Sequence, residues 1–190
     1  MEAPSGEFNF TRLERVIFGA GKVATLPNEL ERRGLERAIV VTGKTLGGSR
    51  LLDTVTSPLG SRCMAVYKGA QQHVPLRTIR ELVDEIKRTD ADCLISFGGG
   101  SPIDTAKVAA ASILTGRDPA AGARHIDFGG SNAKLDGERD LVEIAIPTTL
   151  SAGEYTPAGG VTNEDTRIKG GVVDPRLQPR TIINDPALTL

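Results

Sequence analysis

Two short apolar segments running into glycine, Ala38-Ile39-Val40-Val41-Thr42 and Cys93-Leu94-Ile95-Ser96-Phe97, set the rhythm of this chain, and residues 141–146, ending at proline, read as another strand. Runs of this length, apolar without strict alternation, read as parallel strands buried on both faces. Residues 15–19 and 63–67 predict two further, shorter strands. Between the strands the period changes to that of a helix. Val23, Leu26 and Leu30 share a face, Pro27 fits only in a first turn, and Gly34 is placed as the stop. Residues 75–89 predict the clearest helix, with Ile79, Leu82, Val83 and Ile86 in one stripe and Arg, Glu and Lys on the other faces. A short helix is expected over 49–55 and a small-residue helix over 102–114. Strands alternating with helices through the first 150 residues predict an α/β fold: a doubly wound, mainly parallel, Rossmann-like sheet.

The remaining segments are less regular. Residues 1–10 read as a loose terminus and 116–140, without period and rich in glycine and charge, as a long surface loop. Beyond Pro147 come short β pieces at 160–162, 170–173 and 181–183. The chain then runs through Asn184-Asp185-Pro186-Ala187-Leu188-Thr189-Leu190, which reads as a turn opening a new helix. The expected organisation is one α/β domain over 8–183, with 184–190 beginning a second, truncated domain.

Composition narrows the function classes. Lys plus Arg number 23 against 24 Asp plus Glu, a net charge of −1, which gives no electrostatic footprint for nucleic acid or an anionic membrane. No apolar run approaches the ~20 residues of a membrane span, and the opening MEAPSGEFNF lacks a basic stretch leading into an apolar core. Two separated cysteines, Cys63 and Cys93, fit a reducing compartment, so the cytoplasm is expected. Glycine is abundant at 22 residues and clusters at element ends, a first hint of nucleotide binding.

The strongest constellation is Phe97-Gly98-Gly99-Gly100-Ser101-Pro102-Ile103-Asp104-Thr105-Ala106-Lys107. A buried strand enters three glycines and a helix follows at once. Glycine lets an anion approach the backbone, and the free N–H groups at a helix start attract phosphate. Ser101 reads as the N-cap, Pro102 as the first helical residue and Asp104 as the partner of a capping box. The plainer alternative is a well-capped βα turn, and for Asp104 capping stands beside ligand contact. A second constellation is Pro147-Thr148-Thr149-Leu150-Ser151, where hydroxyls at a strand's carboxyl end suit phosphate or ribose, as they also suit an ordinary strand end.

Gly43-Lys44-Thr45 is not a P-loop, because the glycine such a loop needs is replaced by Ala38 inside a strand. Gly43 matters for another reason: dinucleotide folds often place an Asp or Glu at the end of this strand to hold the adenosine ribose. With glycine there and Lys44 beside it, the protein is expected to accept NADPH as well as NADH. Lys169 reads either as a ribose or phosphate ligand or as a solvated lysine. His73 and His125 stand apart, at no spacing that suggests a metal site.

The motifs at 98–107, Pro-Thr-Thr at 147–149 and Asn-Asp-Pro-Ala-Leu-Thr at 184–189 resemble, in order and spacing, the landmarks of the iron-containing alcohol dehydrogenases. Gln72-His73-Val74-Pro75 and the segment 150–157 are most similar to the maleylacetate reductase branch. The resemblance runs from about residue 10 to Leu190 and implies the N-terminal half of an NAD(P)-dependent oxidoreductase, followed in the family by an all-helical domain. By that resemblance Gly99, Gly100 and Ser101 bind the pyrophosphate, and Thr148, Thr149, Thr156 and Lys169 hold the nicotinamide half and its ribose.

The resemblance further implies a full-length parent that is a homodimer acting on a small-molecule carbonyl or enol-type substrate. Fe2+ or Zn2+ would be held there through residues beyond Leu190, and the 190-residue chain alone is expected to be inactive. Two alternatives remain: a nucleotide-binding module without catalysis, and a glycerol dehydrogenase or dehydroquinate synthase-like relative sharing the fold.

Overall fold

The computed structural model describes residues 12–119 and 141–189; most of the 116–140 segment, including His125, and the first eleven residues lie outside this description. Six parallel strands form one sheet: β1 (Arg15–Phe18), β2 (Ala38–Gly43), β3 (Cys63–Ala70), β4 (Cys93–Gly98), β5 (Val142–Pro147) and β8 (Thr181–Asn184). Their spatial order is β1-β8-β5-β4-β2-β3. The strands β6 (Ala158–Asn163) and β7 (Ile168–Val173) pair antiparallel as a separate hairpin. The short pieces expected after Pro147 thus divide: two make the hairpin, and the third joins the main sheet between β1 and β5.

The apolar runs are buried on both faces, as expected of parallel strands flanked by helices. In β2, Ile39 and Val41 face one core while Ala38 and Val40 face the other. The first core is closed by α4 (Leu76–Thr89) and α5 (Gly100–Thr115). Ile79, Leu82, Val83 and Ile86 of α4 are all buried there, each contributing about 1.5–3 kcal/mol by the usual area relation. The helix ends at Asp90, whose left-handed backbone (φ 50°) returns its N–H to the Ile86 carbonyl. The second core receives Leu26 and Leu30 of α1 (Leu26–Arg32) and Leu52 and Val55 of α3 (Leu51–Thr56). Pro27 sits in the first turn of α1, where its missing N–H costs nothing. A single-turn helix, α2 (Lys44–Gly47), follows β2 directly and is not legible as a period in the sequence.

Helix α5 is buried on nearly all sides, between the sheet, α4 and the β6–β7 hairpin. Its alanines let those neighbours approach closely. Gly159 completes the fit, because a Cβ there would stand 3.0 Å from Lys107 Cβ and 3.2 Å from Val108 Cγ2. At the far end of the description, Asp185 accepts N–H bonds from Gly21 (3.0 Å), Val23 (2.9 Å) and Ala187 (3.0 Å). The turn Pro186–Leu188 that it caps places Leu188 in the second core.

Candidate functional site

The chain leaves β2 toward β3 on one side of the sheet and leaves β4 toward β5 on the other, so the strand order reverses between β2 and β4. Open α/β sheets bind ligands at such a switch point, outside the carboxyl ends of the strands. Gly43, Gly98 and Pro147 end the three adjacent strands β2, β4 and β5 at that edge, with Gly98 in register with Pro147.

Gly98 turns the chain with φ +142°, and a Cβ on it would meet Pro102 Cγ at 2.9 Å, so only glycine fits. The helix begins at Gly100, earlier than the sequence suggests. Gly99 is the N-cap in extended conformation (φ −80°, ψ −159°) and no side chain caps the helix. The expected Ser101 cap with an Asp104 capping box is therefore corrected. Ser101 lies inside the first turn, where its hydroxyl no longer precedes the orphan N–H groups, and Pro102 comes third rather than first. The amino end of α5 is left uncapped by protein, facing the edge where an anion would be received.

The opposite wall comes from the segment after β5. Thr148 donates its backbone N–H to the Gly98 carbonyl (2.9 Å). Thr149 Oγ1 lies 3.0 Å, and Ser151 Cβ 3.3 Å, from the points that Cβ atoms on Gly99 and Gly100 would occupy. Ser151, left out of the expected ligand set, thus belongs to the wall; its position after a Thr-Thr pair was the only signal for it. Gly153 links this group to the next, since a Cβ there would sit 3.6 Å from Ser151 Oγ and 3.8 Å from Asp104 Oδ1.

Asp104 is tied to the hairpin, its Oδ2 accepting the Gly160 N–H at 3.1 Å. Burial pushes its carboxyl pKa up, while that N–H and the charges of Lys107 and Lys169 pull the other way. Lys169, exposed on β7, lies beside Gly160, where a Cβ would come 3.7 Å from the lysine Cε. Thr156 is exposed, and its hydroxyl is already used, donating within reach of the Gly153 carbonyl (3.1 Å) and the Ala158 carbonyl (3.3 Å). The start of α5 (Gly99, Gly100 and Ser101) and Thr148 with Thr149 therefore form two adjoining walls, with Asp104, Thr156 and Lys169 beside them.

Gly43 stands one strand away. A Cβ there would come 3.3 Å from the Ala70 carbonyl, and Leu46 of α2 reaches back toward Gly98. The stem of Lys68 crosses α2 at Gly47, with Cγ 2.9 Å from the position of a Cβ. Among the described residues neither Lys44 nor Lys68 pairs with a carboxylate, so this edge carries positive charge without a compensating acid. The side chain that sequence reasoning overlooked is Lys107. It is fully buried, and its neighbours Ala106, Ala109 and Ala110 in a small-residue helix were the available sign.

Among the described residues no three His, Cys, Asp or Glu side chains come together to hold a metal ion. No described helix is long and apolar enough to cross a membrane.

A doubly wound parallel sheet with a glycine turn at its switch point defines the class of dinucleotide-binding α/β proteins. Within that class, residues 14–186 match the family model of iron-containing alcohol dehydrogenase, and the chain belongs to this family. It is 35% identical over 179 residues to the maleylacetate reductase of Burkholderia cepacia, covering 94% of this chain and 42% of that protein. The crystal structure of maleylacetate reductase from Agrobacterium tumefaciens superposes with a TM-score of 0.74 at 26% identity, over 99% of this chain and 45% of that one. Sulfoacetaldehyde reductase from Bifidobacterium kashiwanohense, solved in complex with NAD+, shares the fold with a TM-score of 0.84 at 23% identity, over 97% and 48% of the two chains. The chain thus spans less than half the length of the relatives it matches.

Proposed function

We propose that this chain is the NAD(P)H-binding part of a reductase of the maleylacetate reductase type. The observation that carries the reading is the start of α5, which no side chain caps, at the switch point of the sheet, with Thr149 packed against Gly99 beside it. A pyrophosphate at this helix start would take N–H bonds from the first turn of α5 and one from the Thr149 hydroxyl. The nicotinamide half then extends past Ser151 toward Thr156, Asp104 and Lys169, and the adenosine half toward Gly43. Bound NAD(P)H supplies the hydride, and the protein's part is to orient its donor face. With Gly43 in place of a carboxylate, and Lys44 and Lys68 nearby, either NADH or NADPH is accepted.

The substrate class, a small carbonyl or enol-type acid, is supported by the similarity to maleylacetate reductases. The described residues bring together no ligand set for the iron in the family's name. The test is turnover by the protein expressed in its full reading frame, followed by loss of nicotinamide absorbance. Oxidation of NADH or NADPH with maleylacetate is expected. Turnover of glycerol with NAD+, and none of maleylacetate, would replace this reading with a glycerol dehydrogenase-like one.

A further inference from the structure

Lys107 is among the largest fully buried side chains of the described residues, an ammonium placed beneath the hairpin on the inner side of α5. An ammonium carries three N–H donors. Three backbone carbonyls receive them: Gly153 and Thr156, each at 2.5 Å, and Ala158 at 3.2 Å, with Thr156 Oγ1 at 3.4 Å beside them. All three acceptors lie in residues 153–158, a stretch with one short 3-10 turn before β6 begins.

A second buried ionisable group lies behind Lys107. Glu143 of β5 is buried on the same face, one carboxylate oxygen accepting Ser96 Oγ at 2.6 Å and the other without a hydrogen-bond partner. Glu143 makes no hydrogen bond to Lys107, because the ammonium's donors point into the loop. Burial pushes the Lys107 pKa down, and Glu143, Asp104 and Glu154 oppose that.

Burying a charge costs several kcal/mol in general, and a well-packed apolar residue in its place is often neutral or stabilising. An ammonium aimed at a loop backbone is therefore poorly explained by stability. We infer that Lys107 is a positioning residue for the nicotinamide side of the cofactor site: it holds residues 153–158 so that Thr156 keeps its place beside Asp104 and Lys169. Asp104, one helical turn earlier, fixes the following strand through Gly160. This inference rests on the cofactor reading given above.

The test compares wild type, Lys107→Met and Glu143→Gln in the whole 190-residue chain. Three quantities are measured: amide hydrogen exchange, affinity for NADH, and affinity for ADP, which keeps the adenosine and pyrophosphate but lacks the nicotinamide riboside. In Lys107→Met, exchange is expected to rise at 153–158 while β2 and β4 stay protected. NADH affinity should fall about tenfold and ADP affinity by no more than about twofold. Glu143→Gln should leave the loop as protected as in wild type, since its carboxylate does not bond the ammonium.

Should Lys107→Met fail to fold, the double variant Lys107→Met/Glu143→Leu removes the orphaned carboxylate and is expected to show the same loop loosening. Unchanged exchange at 153–158 in the folded variant overturns the inference. So does an equal loss of NADH and ADP affinity, or an equal loosening by Glu143→Gln. If wild type binds neither nucleotide, the cofactor reading fails, while exchange at 153–158 still reports whether Lys107 pins the loop.

Discussion

Thr149 Oγ1 stands 3.0 Å from the point that a Cβ on Gly99 would occupy, and its Cγ2 stands at 3.3 Å. Gly99 has an ordinary extended backbone, so glycine is required there by space and not by strain. The two segments that wall the site, one after β4 and one after β5, meet at this contact.

Gly99→Val should therefore displace Thr149 and block the approach of a phosphate to the start of α5. The expected loss in NADH affinity is at least about tenfold, roughly 1.4 kcal/mol, with a smaller loss of stability. Calorimetric titration beside a thermal melt separates the two. Unchanged affinity would place the pyrophosphate elsewhere.

Gly43→Asp addresses cofactor choice. The backbone there is extended (φ −89°, ψ 169°), so the residue can be introduced without strain, although its Cβ lies 3.3 Å from the Ala70 carbonyl. Wild type should bind NADH and NADPH within about tenfold of each other, since one exposed charge contact is worth roughly 1 kcal/mol. The aspartate should accept the ribose hydroxyls and repel a 2′-phosphate, weakening NADPH in particular. Fluorescence titration of both cofactors reads this directly. A wild-type preference for NADH above about a hundredfold would assign the discrimination to another residue.

Asp104→Ala removes the acceptor of the Gly160 N–H. A cost of about 1–3 kcal/mol is expected from leaving that partly buried donor unsatisfied. Asp104→Asn retains an acceptor oxygen and should cost less. Denaturant unfolding of the two variants checks the order, and equal losses would mean that the carboxylate's charge matters more than its bond to Gly160.

Glu143 gives stability a pH dependence of definite sign. Burial pushes its carboxyl up from an ordinary 4.5 to about 8, so across that interval the folded protein keeps a proton that the unfolded chain has released. Its contribution is fully present below about pH 4.5 and is lost as pH rises through about 8. Lys107, pushed down from 10.5, works in the opposite direction, adding stability as pH rises toward 10.5. Glu143→Gln should thus gain on wild type between pH 5 and pH 8, by an amount on the order of a few kcal/mol. Parallel unfolding curves at the two pH values would show that Glu143 ionises as it does in the unfolded chain.

Much of this fold is legible in the chain because burial on both faces leaves a plain mark. Val40, Ile95 and Ile144 belong to mostly apolar runs, and the α4 stripe from Ile79 to Ile86 has one unambiguous face. The true start of α5 is not legible, because Ser101-Pro102 is a good cap in isolation. Gly98 and Gly99 together complete the turn sooner, and a single propensity cannot report that competition. The placement of β8 beside β1 was hidden because sheet closure depends on distant pairing, Arg15 with Thr181, and not on local period. Lys107 was invisible for a related reason: a lysine on a helix reads as solvated until the carbonyls of 153–158 are brought to it.

The most direct test of the cofactor assignment is hydrogen exchange of the 190-residue chain with and without saturating NADH. Protection is expected to gather at residues 98–103 and 148–151, the two walls of the site, and to vanish in Gly99→Val. Saturable NADH binding that protects other segments, or no binding by a chain that is demonstrably folded, would contradict it.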